Sequence, residues 1–297
     1  MAPRLAARRL GSLAVLAAAL AIAGIGAADD RPLQPQHIGL HTGALLFPAP
    51  GVLVASIGAE YLPEVTNDLA GVEGELFRAP TLDLQLALAD RAMFQVTWPA
   101  YNRLRVHRQL DPPPLGRRLG PVSSDWGDVT VATLIRLAPQ HRGWPAAGLR
   151  FAAKLPNTNE KLGIGENTTD VFATALLARS FGGRVGLFTD LGLGILTEPA
   201  TLFAQKDVFT YGVMADGRVS HEVHFVSEVT GQRARREPRP GTVNHSELSA
   251  GLEWCRRSFH VGALAVHRLT GQDSRGMGVS LNVSTSFAVL DRAHGTR

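Results

Sequence analysis

The chain has 297 residues and a single cysteine, Cys255. A disulfide framework within it is therefore excluded, and its stability must come from burial, backbone hydrogen bonds or a bilayer. Beyond Ile25 no apolar run approaches the ~20 residues that a membrane-crossing helix needs. If the mature chain spans a membrane, it does so as a closed sheet, because lipid offers no partner to a free strand edge. A dominant charge is missing too. There are 30 Lys and Arg against 26 Asp and Glu, and loss of Arg4, Arg8 and Arg9 with a cleaved leader leaves 27 against 26. The basic pI therefore carries no nucleic-acid signal, and with no basic helix or aromatic RNA-binding signature, nucleic acid is not expected as a partner.

Signatures of chemistry are equally scarce. The sequence has no G-x-S-x-G elbow and no P-loop. In His221-Glu222-Val223-His224 the histidines are three apart in a strand-like segment, so they point to opposite faces rather than at one metal. Asn157, Asn159, Glu160, Glu166 and Asp170 share a polar stretch without EF-hand spacing and read as a solvated loop. No metal, cofactor or catalytic nucleophile is expected.

What is present is an export leader followed by alternation. Arg4, Arg8 and Arg9 precede the apolar run Leu13–Ile25, then Gly26-Ala27-Ala28. This order is that of a secretory signal ending near Ala28. Farther on, Met277, Val279, Leu281, Val283, Thr285 and Phe287 fall on one side of a strand, and Gly278, Ser280, Asn282, Ser284 and Ser286 on the other. One greasy face opposite one small polar face is the pattern of a transmembrane barrel strand. It recurs. Val129, Val131, Thr133, Ile135 and Leu137 oppose Asp128, Thr130 and Arg136; Leu149, Phe151, Ala153 and Leu155 oppose Arg150 and Lys154. Leu82, Leu84, Leu86 and Leu88 oppose Asp83 and Gln85, and Leu248, Ala250, Leu252 and Trp254 oppose Glu247, Ser249 and Glu253.

The connections alternate in length. Ala89-Asp90-Arg91, Phe181-Gly182-Gly183, Asp216-Gly217 and Cys255–Ser258 read as short turns, whereas Asp111–Ser124, Pro156–Thr169, Thr197–Lys206 and Thr230–Val243 read as loops. Outer-membrane barrels have short periplasmic turns and longer external loops, so the last strand is expected to run toward the periplasm. Tyr61, Trp98, Tyr101, Trp126 and Trp254 sit near strand ends, as two interfacial girdles require. Tyr101–Arg108 is either its own strand or a continuation of Ala92–Trp98 past Pro99.

The expected fold is all-β, a transmembrane up-and-down antiparallel barrel of 12 to 14 strands with 14 slightly favoured. The expected division is a signal peptide over 1–28, a first strand or lumen plug over 29–50, the barrel over 51–288 and a tail over 289–297. Parity puts Asp83, Gln85, Arg103, Arg105, His107, Arg136, Arg150, Lys154, Glu222, Glu247 and Glu253 in the lumen. Both signs of charge are present, so strong ion selectivity is not expected.

The stretch Trp126–Leu196 resembles a family of outer-membrane proteins named for the meta-cleavage pathway of phenol degradation. The resemblance rests on Gly127-Asp128-Val129-Thr130, Lys154-Leu155-Pro156, Leu162-Gly163-Ile164-Gly165, Asn167-Thr168-Thr169-Asp170-Val171 and Phe181-Gly182-Gly183, in that order. Upstream, Ala87-Leu88-Ala89-Asp90-Arg91 and Trp98-Pro99 look like the same family's hairpin. It implies a bacterial outer-membrane barrel, inserted by the barrel-assembly machinery, that passes small, often aromatic or hydrophobic compounds. The readings that compete with a channel are an outer-membrane lipid-modifying enzyme and a structural or adhesive barrel working through its loops.

Overall fold

The computed structural model describes residues 41–42, 45–114, 116–141, 143–197, 205–234, 244–270 and 276–290. The expected leader, most of the N-terminal segment, much of the loops expected at Thr197–Lys206 and Thr230–Val243, and most of the tail lie outside them. The described residues form fourteen strands: β1 Val52–Asn67, β2 Val72–Ala89, β3 Ala92–Pro99, β4 Asn102–Gln109, β5 Val122–Asp125, β6 Val129–Ala138, β7 Ala146–Leu155, β8 Asp170–Phe181, β9 Val185–Thr197, β10 Gln205–Arg218, β11 Val223–Ala234, β12 His245–Arg256, β13 Phe259–Arg268 and β14 Met277–Ala288. All pair antiparallel.

Twelve strands close into a barrel, and β4 and β5 lie outside it. Closure comes from β1, which pairs with β14 from Val52↔Ala288 to Tyr61↔Val279 and with β2 along its other edge. No edge strand is left at barrel level, which is the condition for standing in hydrocarbon. The count falls at the lower end of the expected range because two of the apparent strands are continuations. β2 is long, and β3 pairs with its second half while β4 pairs with its first. Thus β3–β4 is one path interrupted at Ala100-Tyr101, and β5–β6 is another interrupted at Trp126–Asp128. Beyond the barrel rim, β1, β2, β4 and β5 carry on as a four-stranded flap. Its inner face packs Leu62, Val65, Val72, Leu76 and Leu104 against Leu119 and Ile164 from the adjoining loops.

One hairpin differs from expectation. Asp216-Gly217 is not a turn: β10 runs through it to Arg218, and the chain reverses over Val219–Glu222. There the Val219 and Ser220 amides donate to the Val223 carbonyl, and Ser220 Oγ accepts from the Val223 amide. Asp216 is instead fully buried and bound to His224 Nδ1 at 2.9 Å. A carboxylate with a cross-strand partner gains more as a strand residue than as a turn former.

The two faces separate as the alternation requires. In β14 Leu281 is 54% exposed and Ser284 1%. Ile57, Leu191, Leu193, Ile195, Phe209, Val213, Leu252 and Val279 join Leu281 on an outer apolar belt. Rings gather toward its margins. Trp98 stacks on Trp126 at 5.8 Å near the loop end, and Trp254 meets Phe259 edge-on at 6.2 Å near the turn end. Replacing Leu281 by Arg in vesicle-embedded protein is expected to cost about 2–4 kcal/mol, against about 0–1 kcal/mol for the same change at Phe287 near the margin. Urea unfolding in phospholipid vesicles measures both, and equal costs would contradict the belt.

Candidate functional site: the barrel lumen

Inward-pointing side chains divide the lumen into two halves. The half nearer the short turns is filled. Met93, Ala132, Leu134, Ala152, Leu176, Phe188 and Met214 form one buried cluster, and Leu45 of the N-terminal segment sits within it. Two glycines make room for that segment. A Cβ at Gly148 would lie 2.5 Å from Leu45 Cδ2, and one at Gly212 would lie 2.6 Å from Thr42 Oγ1. The backbone amides of His41 and Thr42 both donate to the carboxylate of Glu228, the former at 2.9 and 3.0 Å. The segment is therefore latched by charge-assisted bonds to β11 and by apolar packing to β7. A small cavity of about 140 Å³ remains at the turn end, walled by Leu45, Leu46, Ala146 and Phe188.

The half nearer the long loops holds a cavity of about 430 Å³. Its walls are polar. Ser56, Thr81, Asp83, Gln85, Gln95 and Thr97 come from β1–β3; Asp128, Thr130, Arg150 and Lys154 from β6, β7 and the residue before β6; Ser280 and Asn282 from β14. Most charges here are held by neighbours. Asp83 accepts from Gln85 Nε2 at 2.7 Å, Gln95 Nε2 at 2.8 Å and Thr97 Oγ1 at 2.8 Å. Arg78 pairs with Glu60 at 2.8 Å. Lys154 Nζ lies 2.5 Å from Asp170, 3.4 Å from Glu166 and 4.0 Å from Asp128.

Asp128 also fastens the long loop to the rim. It accepts from the amides of Asn157 and Thr158 and from Thr158 Oγ1, at 2.8, 3.1 and 2.9 Å. Asp125 accepts from the Asn159 amide at 2.6 Å, and Ser123 Oγ donates to the Leu162 carbonyl at 2.8 Å. Both polar side chains stand on β5, so the flap and the loop brace each other over one side of the chamber.

The lumen-facing set expected from parity is scattered. Asp83, Gln85, Arg150 and Lys154 line the chamber. Glu247 stands on β12 with Arg268 at 3.9 Å. Glu253 is 1% exposed in the filled half, opposite His224 in register. Arg136 lies at the turn end, over the Phe47 ring at 5.2 Å, and donates to the Asp90 carbonyl. Glu222 is in the exposed turn before β11, where it accepts from Trp254 Nε1 at 3.0 Å. Arg103, Arg105 and His107 do not reach the lumen. They stand on the exposed face of β4, outside the closed barrel, with His107 3.2 Å from Glu75. The reason is environmental. In lipid the apolar face of a strand turns outward, but β4 stands in water, so Leu104 and Val106 turn inward and the charges turn out.

Several chamber residues lay outside the expected set. Ser280, Asn282 and Asp128 were on the wet faces of recognised strands or beside them, so parity alone could have named them. Glu60, in phase with Ser56 along β1, could have been named the same way; Arg78 could not, because an extra residue in β2 between Arg78 and Thr81 puts it out of phase with Asp83. Among the described residues no cluster of three or more His, Cys, Asp or Glu could hold a metal.

No family model matches the chain, and no curated protein matches it either. Solved structures do. An outer-membrane channel from Pseudomonas putida F1 is 12% identical, superposes with a TM-score of 0.60, and matches over 85% of this chain and 100% of that one. What the two share is the fold, an all-β antiparallel closed barrel. Two porins superpose more loosely. NanC is 8% identical with a TM-score of 0.49, over 78% of this chain and 98% of that one. KdgM, solved with disordered oligogalacturonate, is 9% identical with a TM-score of 0.47, over 78% and 99%. At these identities the likeness speaks for architecture alone.

Glu166, in the loop above the chamber, has its carboxyl pushed above the ordinary range by burial, against the pull of Lys154 and with a further push from Asp170. Its protonated form is the one favoured by folding, so its contribution is full below the unfolded carboxylate pKa and lost as pH rises through the folded one. Glu166→Gln, neutral throughout, is expected to gain stability over wild type as pH rises from 4 to 7. Urea midpoints in micelles across that range measure the difference, and a gap that shrinks with rising pH would contradict the assignment.

Proposed function

We propose that this protein is a bacterial outer-membrane channel for the passive uptake of small solutes, delivered by its export leader and inserted by the barrel-assembly machinery. The observation that carries the reading is the pairing of a lipid-facing belt with a polar chamber on the loop side of the lumen. Short turns at one end and long loops at the other orient it, with the chamber toward the outside and the filled half toward the periplasm. The channel reading is preferred to an enzyme because the chamber's carboxylates are engaged by amides, hydroxyls and cations, in the manner of a structured pore wall. The resemblance to the phenol-pathway family extends the proposal to aromatic or hydrophobic solutes. For those, the apolar cluster around Leu45, Leu176 and Phe188 offers the matching surface, reached by displacing the N-terminal segment.

In this reading the described residues 41–42 and 45–47 belong to a plug, and Glu228 is its latch. Planar-bilayer recordings are expected to give small or rare steps for the wild type and larger or more frequent ones for Glu228→Ala. Replacing Arg150 and Lys154 together by Glu is expected to shift ion preference toward cations. A silent Glu228→Ala variant would contradict the plug, and unchanged selectivity would contradict the chamber as part of the ion path.

A further inference from the structure

Arg150 differs from the other cations of the chamber. Arg78 has Glu60, and Lys154 has Asp170, Glu166 and Asp128. Arg150 makes no hydrogen bond and no ion pair with any described residue, although its side chain is only partly exposed and lines the cavity. The two carboxylates that act on it electrostatically are Asp190 and Asp83. Asp83 is committed elsewhere, since its oxygens already accept from Gln85, Gln95 and Thr97. A guanidinium has five donors in a planar fork, and leaving them unmatched in a partly desolvated site is costly. Water can satisfy them when no solute is bound. A carboxylate would match them as a bidentate pair.

We propose that Arg150 is the anchor of a solute-binding site in the outer chamber, and that the solute is a small monocarboxylate with a hydroxyl-rich body. The site rests on the channel reading but concerns binding rather than passage. The single negative charge follows from the electrostatics. Asp83 and Asp190 already balance part of the local positive charge, so one carboxylate fits and a second meets repulsion from Asp83. The hydroxyl-rich body follows from the walls. Elsewhere on its walls the chamber offers Gln95, Thr97, Thr130, Ser280 and Asn282, hydroxyl and amide groups suited to alcohols. Its volume of about 430 Å³ lies in the range of small-molecule pockets.

The test is equilibrium dialysis of the full-length, detergent-folded protein against radiolabelled gluconate, with sorbitol as the uncharged analogue and galactarate as the dicarboxylate. Wild type is expected to bind gluconate, and to bind sorbitol and galactarate at least about tenfold more weakly, the size of one charge-assisted contact. Arg150→Gln is expected to lose that preference, and Arg150→Lys to keep part of it. Heat-modifiable migration of each variant reports that the barrel has folded. The comparison of the three solutes on wild type stands even where a variant does not fold. Gluconate that fails to bind, binds no better than sorbitol, or binds Arg150→Gln unchanged overturns the site. Binding with no conductance from either wild type or Glu228→Ala overturns the channel reading and leaves the site standing; conductance without binding does the reverse.

Discussion

Everything in this structure depends on leaving no backbone edge unpaired at the level of the apolar belt. In hydrocarbon an unpaired amide or carbonyl costs several kcal/mol, of order, and the sheet avoids that by bringing its last strand back to its first. The β1–β14 ladder is the seam that makes the barrel. Once closed, the sheet has an inside and an outside, and strand parity assigns every side chain to one of them. The apolar belt, the polar chamber and the filled half are consequences of that single closure. Above the rim the constraint relaxes, and there the sheet opens: β4 and β5 add an edge that water can solvate.

Inside, two solutions to burial meet. One half packs like a protein core, with Leu176 and Met214 wholly buried around Leu45. The other half keeps space and lines it with groups that hold each other in place. Asp83 is fixed by three donors, Lys154 by three carboxylates, and the loop above by Asp128 and Asp125. Buried charge in a lumen is tolerable only when paired or hydrogen-bonded. The chamber follows that rule at each of these positions, and the guanidinium of Arg150, with no partner among the described residues, stands out against it.

Much of the fold could be read from the sequence because period two is a strong signal where one face meets lipid. β7, β12 and β14 carry it cleanly, and their parity was correct along their length. The reading failed where the environment changed. Arg103, Arg105 and His107 alternate with Leu104 and Val106 as a barrel strand would, but a strand standing in water inverts which face is outside. Asp216-Gly217 has the composition of a turn, and the ladders on both sides of it and the bond from Asp216 to His224 come into view with the folded sheet. The segment from His41 to Phe47 has no periodicity, and the glycines that accommodate it, Gly148 and Gly212, lie on strands far from it in sequence. Partner identity was the least legible of all. Which cations are neutralised depends on neighbours brought together by closure, so Arg150 and Lys154 look alike in the sequence and differ in the folded lumen.

The central claim is that β14 has lipid on one side and lumen on the other. Nitroxide labels placed singly at residues 279 through 284, in protein with Cys255 replaced by serine and reconstituted in vesicles, test it through collision with dissolved oxygen. The account predicts high oxygen accessibility at 279, 281 and 283, and low accessibility at 280, 282 and 284. A flat profile, or accessibility at every position to a water-soluble relaxant instead, would contradict a membrane-embedded barrel.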